Sequence, residues 1–101
     1  MDDHTDSPTA IAYVFVNNNR ARVTEWKFRG KGDNTGWHRH EYDYVVVPLF
    51  DGFLKIESKH GQIDRVELKH GIPYFREAGV EHDVRNDNEF ECAFIEIEFV
   101  K

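Results

Sequence analysis

The sequence contains one cysteine, Cys92, and it lacks both a long apolar run and a cluster of basic residues. A single cysteine excludes an internal disulfide bond and a cysteine-based zinc site. No apolar run approaches the ~20 residues that cross a bilayer. The acidic first residues also lack the basic and apolar regions of a secretory signal. We therefore expect a soluble protein of the cytoplasm.

The chain also has fewer basic residues than acidic ones. The chain has 13 Lys and Arg against 19 Asp and Glu, and the resulting net charge of −6 is spread along its 101 residues. Such a field disfavours nucleic acid as a partner. The length suits one compact domain with one core. We expect that domain to bind a small molecule, and neither nucleic acid nor a membrane.

A helical period is absent as well, and turn residues recur roughly every eight to twelve positions. Between the turns lie short β-branched and aromatic stretches, which favour strands. This pattern predicts an all-β sandwich or barrel over residues 10–101, after a flexible arm at residues 1–9. The expected strands cover residues 11–16, 21–28, 37–49, 53–56, 63–68, 74–75, 82–85 and 90–100.

The last expected strand alternates two sets of residues. One set is Ala93, Ile95, Ile97 and Phe99, and the other is Cys92, Phe94, Glu96 and Glu98. Because alternate side chains of a strand point to opposite sides, one face of this strand is expected to be apolar.

Two of the six histidines, His38 and His40, are separated by one residue on an expected strand. Their imidazoles therefore project to the same side, about 7 Å apart along the backbone, and can chelate a divalent ion. His82 is a candidate third ligand from another strand. A His-x-His pair alone is a weak indication, because most histidines lie at the surface or are hydrogen-bonded in the core. Three others lie in the arm or in turns and are expected to be inert: His4, His60 and His70.

The residues around the candidate ligands resemble the two sequence motifs of the cupin superfamily. In the first motif, a Gly precedes His-x-His by five residues and a later Gly ends the strand. The matching residues are Gly32, His38, His40 and Gly52. In the second motif, spaced glycines precede a His and an Asn. The matching residues are Gly71, Gly79, His82 and Asn86.

This resemblance implies a single-domain cupin, a double-stranded β-helix or jelly-roll β-barrel of antiparallel strands, with a metal held by His38, His40 and His82. Iron(II) is the first expectation for the ion, and nickel, manganese and zinc are alternatives. Small cupins commonly pair through their sheets, so a homodimer is expected. Residues 36–48 and 73–76 are further similar to a group of small bacterial cupins, some of which are associated with β-alanine degradation.

The chain departs from the first motif at its acidic ligand. That ligand usually follows the second histidine after three or four intervening residues, where this chain has Tyr44 and Val45. The site is therefore expected to be a three-histidine site, similar to that of cysteine-dioxygenase-like relatives. Tyr44 is our first candidate for the vacated position, as a weak ligand or a hydrogen-bonding catalytic group. Glu41 or Asp43 could serve instead if the strand bulges, and Tyr44 would then be an ordinary packed tyrosine.

Two functional hypotheses follow from this resemblance. The first is a metal-dependent enzyme, resembling a dioxygenase or an isomerase, that acts on a small polar or carboxylate-bearing molecule. The second is a non-catalytic cupin that senses or stores a small ligand; a metal that only braces the fold is a third possibility. Arg76 could clamp a substrate carboxylate, or it could face solvent. Four aromatic residues are expected to line a substrate site, or else to be plain core: Trp37, Tyr42, Phe75 and Phe94.

Overall fold

The computed structural model describes residues 9–100, and nearly all of its regular structure is antiparallel strand. The strands are β1 (Ile11–Asn17), β2 (Ala21–Phe28), β3 (His38–Arg39), β4 (Tyr44–Pro48), β5 (Gly52–Ser58), β6 (Ile63–Leu68), β7 (Tyr74–Arg76), β8 (Glu81–Asn86) and β9 (Cys92–Phe99). The helical structure of this part of the chain is one short 3-10 turn, Lys59–Gly61. No helix in residues 9–100 is long and apolar enough to span a membrane.

The strands form two sheets. The five-stranded sheet has the order β1-β2-β9-β4-β7, and the four-stranded sheet has the order β3-β8-β5-β6. Side chains of both sheets meet in one core, including Phe28 and Phe94 from the first and Leu54 and Val84 from the second. The all-β jelly-roll prediction is thus confirmed. The expectation of a closed barrel is wrong, because the hydrogen-bonded ladders form two separate sheets.

The expected strand over residues 37–49 is two strands in different sheets. β3 pairs with β8, whereas β4 pairs with β9 and β7. Between them, His40 donates its N–H to the carbonyl of Val80 and accepts from the N–H of Gly79. These bonds hold the backbone at His40 while the chain crosses from one sheet to the other. β4 ends at Pro48, as expected for a residue without an N–H donor.

The expected N-terminal arm lies almost entirely outside the described residues, which begin at its last residue, Thr9. The backbone N–H of Thr9 donates to the carbonyl of Asn34, and its hydroxyl donates to the Asn34 side chain. At this point the chain is already tied to the loop before β3.

The two faces of β9 differ in an unexpected way. Its mixed residues, including Phe94, Glu96 and Glu98, are buried inside the sandwich. Its apolar residues point away from the other sheet and are only partly covered. They belong to what we call the outer face of the five-stranded sheet. A row of directly paired residues crosses all five strands of this face: Val16, Val23, Ile97, Val45 and Phe75.

Two buried asparagines close the turn between β8 and β9. Asn88 accepts the N–H of Phe53 through Oδ1, at 2.9 Å, and donates through Nδ2 to the carbonyl of Phe53 and to Oδ1 of Asn86. Asn86 in turn donates to the carbonyls of Gly30 and Phe90. These bonds fasten the start of β5 to the turn, and they fix the Asn88 side chain directly beside Gly52.

We expect Gly52→Ala to lower the free energy of unfolding by about 1–3 kcal/mol, because the new methyl group would overlap the Asn88 amide. Gly30→Ala is the matched control, since a methyl group there has open space. It should change stability by no more than about 0.5 kcal/mol. Urea unfolding of both variants measures the difference, and equal midpoints would contradict the proposed overlap.

Candidate metal centre

The structure brings together the three histidines on which the sequence analysis focused. His38 lies on β3 directly opposite His82 on β8, and His40 follows β3. Nε2 of His40 is 3.1 Å from Nε2 of His38 and 3.3 Å from Nε2 of His82. His40 and His82 are buried, and His38 is half-buried. Three imidazole nitrogens thus converge on one point between the sheets.

The loop before β3 is fastened to β8, and this sets the direction of the His38 ring. Asp83 accepts the backbone N–H of Gly36 and the side-chain amide of Asn34. Gly36 has a φ of 87°, a left-handed conformation that glycine adopts at little cost. Its carbonyl lies 2.8 Å from Nδ1 of His38. Because a carbonyl only accepts, Nδ1 carries the proton and Nε2 keeps a free lone pair toward the cluster.

Two glutamates that the sequence analysis did not select lie on either side of the His40 ring. Oε2 of Glu96 is 3.6 Å from Nε2 of His40, and Oε2 of Glu98 is 3.7 Å from Nδ1. Both residues are buried, with 8% and 6% of their surface exposed. Their signal in the sequence is two carboxylates at alternate positions of an otherwise apolar strand.

Burial sets the protonation of the cluster. It lowers the pKa of His38, and it lowers the pKa of His82 to about 3, helped by the neighbouring imidazoles. The neighbouring His40 ring, together with Arg22, lowers the pKa of Glu98 to about 2. Burial raises the pKa of Glu96. His38 and His82 are therefore neutral and able to ligate, and this set of nitrogen and carboxylate donors fits a divalent cation.

Tyr44 lies beside this cluster and is almost completely buried. Its ring stacks on the His40 ring, with centroids 3.9 Å apart and an interplanar angle of 17°. Burial and the nearby Glu96 carboxylate raise the pKa of the Tyr44 hydroxyl well above its usual value. The hydroxyl therefore stays protonated at neutral pH, which suits a hydrogen-bond donor better than a phenolate ligand.

The other two candidates for the missing carboxylate lie elsewhere. Glu41 and Asp43 are exposed, in the crossing between the sheets. The Asp43 carboxylate accepts the backbone N–H of Ala78 at 2.8 Å. Among the described residues, the groups close enough to share an ion are the three histidines, and His40 with Glu96 and Glu98.

A cavity of about 200 Å³ lies against the cluster, between the sheets. Aliphatic side chains supply much of its wall, and His82, Glu96, Tyr44 and Arg76 supply polar groups. A second, more open cavity of about 330 Å³ reaches His38 and His40 from the side of β1 and β2. The cluster is thus accessible from two directions.

The expected substrate-binding residues divide between this cavity wall and other positions. Arg76 and Phe94 line the smaller cavity. The Arg76 guanidinium lies 4.6 Å from the centroid of the Tyr74 ring.

Trp37 and Tyr42 are half-buried outside that wall. Because side chains alternate along β7, Tyr74 and Arg76 lie on the cavity side, where Arg76 is nevertheless exposed, and Phe75 points outward with 52% of its surface exposed. The expectation that Phe75 lines the site is therefore wrong.

The histidines that were expected to be inert lie away from the cluster where the structure describes them. His60 and His70 are exposed in turns. His4 lies outside the described residues.

The chain is similar to known proteins over nearly its whole length. It is 50% identical over 92 residues to the β-alanine degradation protein BauB of Pseudomonas aeruginosa, covering 90% of this chain and 94% of that protein. A crystal structure of a cupin domain from Bordetella pertussis is 44% identical and covers 96% of this chain and 99% of that one, with a TM-score of 0.88.

A more distant solved structure shares the fold alone. It is a cupin with a double-stranded β-helix from Methanocaldococcus jannaschii, 12% identical, with a TM-score of 0.73 over 95% of this chain and 84% of that one. No family model matches the chain.

Proposed function

The chain belongs to the cupin superfamily and to the family of the BauB protein, and on this premise we propose that it is a metal-dependent enzyme acting on a small carboxylate. The observation that supports this most is the convergence of three imidazole nitrogens beside a cavity whose wall includes the exposed side chain of Arg76. His38, His40 and His82 would hold the ion. Iron(II) is our first choice, and nickel, manganese and zinc are alternatives.

The roles of the cavity residues follow from their charges. Arg76 binds the substrate carboxylate through paired hydrogen bonds, which a planar guanidinium forms well. The protonated Tyr44 hydroxyl donates a hydrogen bond to the substrate near the three histidines. Phe94 and the aliphatic wall exclude water and so strengthen both contacts. A divalent ion bound there supplies Lewis-acid polarisation of a carbonyl group or a site for oxygen activation.

The substrate class is further supported by the relative's name. BauB is called a β-alanine degradation protein, and β-alanine and its breakdown products are short carboxylates. A cavity of about 200 Å³ suits a molecule of this size. We propose such a short carboxylate as the substrate of this chain.

We also propose that the protein is a homodimer that pairs through the outer face. Tyr13, Phe75 and Phe99 on that face are 44%, 52% and 43% exposed. The face measures roughly 20 by 25 Å from strand spacing and length, or about 500 Å² in projection. A standard interface buries about 800 Å² of accessible surface per partner, so this face supplies most of what a stable dimer needs.

Metal content tests the three-histidine centre. We expect His38→Ala and His82→Ala each to lose most of the metal, because each removes one of three converging donors. The controls His60→Ala and His70→Ala should keep it, since both histidines are exposed in turns. Elemental analysis of anaerobically purified protein gives the comparison. Equal metal content in all four variants would overturn the assignment.

Ligand binding and oxygen uptake test the proposed activity. Arg76→Gln should weaken the binding of short carboxylates to metal-loaded protein by roughly 10–100-fold, through loss of a charge-assisted contact, while metal content is unchanged. Arg20→Gln, at an exposed arginine in the β1–β2 turn, is the control. Carboxylates, amino acids and thiols would be screened for oxygen uptake and for isomerised products. Binding without any turnover would favour a sensor or storage protein.

The oligomeric state tests the outer face. We expect the protein to be a dimer in size-exclusion chromatography with light scattering, and Ile97→Lys to be a monomer, because a charge in the middle of the face cannot be desolvated there. Ile63→Lys, at an exposed isoleucine on the other sheet, should remain a dimer. A monomeric wild-type protein, or dissociation by both substitutions alike, would contradict this interface.

A further inference from the structure

Glu96 and Glu98 are neighbours on the inner side of β9, but their charges are balanced differently. The cross-strand partners of Glu98 are Arg22 on β2 and Tyr44 on β4. Nε of Arg22 donates to Oε1 of Glu98 at 2.5 Å. The negative charge of Glu98 therefore has a fixed cation beside it within the chain.

Glu96 has no such partner across its strands. Its directly paired neighbours are Thr24 on β2 and Val46 on β4, neither of which is charged. The indole N–H of Trp26 donates to its carboxylate. Its carboxylate lies 3.6 Å from Nε2 of His40, the nitrogen that also faces His38 and His82. A buried carboxylate needs a partner of opposite charge, and this one is aimed at the point where the three imidazoles meet.

We propose that Glu96 is the carboxylate ligand of this metal centre and replaces the acidic ligand that the first motif lacks. His40 belongs to two groups of donor atoms that each lie within 4.8 Å, one with His38 and His82 and one with Glu96 and Glu98. Oε2 of Glu96 lies 3.6 Å from Nε2 of His40, the nitrogen that faces His38 and His82. The carboxylate reaches the centre from the last strand instead of from the His-x-His strand.

Glu98 has a positioning role in the same arrangement. It lies 3.7 Å from Nδ1 of His40, on the opposite side of the ring from Glu96. A carboxylate there holds the proton on Nδ1, and this leaves the Nε2 lone pair free for the ion. Arg22 fixes the Glu98 side chain. Glu98 thus holds Nδ1 of His40, while Glu96 binds the ion on the side of Nε2.

This inference rests on the proposed three-histidine centre, and metal titration can test the two separately. Cobalt(II) would be titrated into metal-free protein, with affinity and the visible ligand-field spectrum as readouts. We expect Glu96→Gln to weaken cobalt binding at least 100-fold and to change the spectrum. Glu98→Gln should weaken it by about tenfold, the lower end of the effect of an outer hydrogen-bond partner, and leave the spectrum as in the wild type.

The controls decide which assignment fails. If His82→Ala loses cobalt while Glu96→Gln binds it with wild-type affinity and spectrum, the Glu96 assignment is wrong and the three-histidine centre stands. If His82→Ala also binds like the wild type, the centre itself is wrong. Should Glu96→Gln not fold, infrared difference spectra of the unmodified protein replace it. A metal-induced shift of a carboxylate band is expected, and its absence would overturn the proposal.

Discussion

The packing of neutral imidazoles between two sheets is the constraint on which the site depends. Taking a charged imidazolium out of water costs several kcal/mol, so burial holds His82 neutral. Its ring nitrogen is thereby ready to ligate. The same burial needs backbone that brings β3 and β8 together, and the left-handed Gly36 and the Asp83 contacts provide it. The contacts that fold the loop before β3 therefore also bury the histidines and keep them neutral.

Much of this arrangement could be predicted from the sequence, because it is encoded locally. Turn residues and β-branched stretches mark the positions of most strands along the chain, and the spacing of His38, His40 and His82 within two recognisable motifs selects the three histidines. The crossing at residues 40–43 was not predictable from propensity. The backbone hydrogen bonds of His40 to Val80 and Gly79 join segments that are about forty positions apart in the sequence. Nothing local marks Arg39 as the last residue of β3, or the residues after it as the crossing to the other sheet.

The sequence analysis did not select the carboxylates of Glu96 and Glu98, for a related reason. Glu96 and Glu98 lie over fifty positions from His40, and only the pairing of β9 with β4 and β2 brings them to it. Glutamate at alternate positions of a strand usually marks a solvated face. In β9 that face is buried, because the interior at this end of the sandwich is polar and can satisfy carboxylates with Arg22, Trp26 and His40. A second sign in the sequence is Tyr44, which stands where the first motif usually has its acidic ligand.

The two faces of β9 then have a common explanation. If the inner side carries the carboxylates, the apolar residues of the strand must point outward, and the row of the outer face that passes through Ile97 is apolar in all five strands. Ile97 lies between Glu96 and Glu98 in the chain and is paired with Val23 and Val45. Covering Ile97 with a second copy would remove water from the outer side of the ladder that holds both glutamates. In the proposed dimer, β9 would therefore contribute its outer residues to the interface and its inner glutamates to the proposed metal centre.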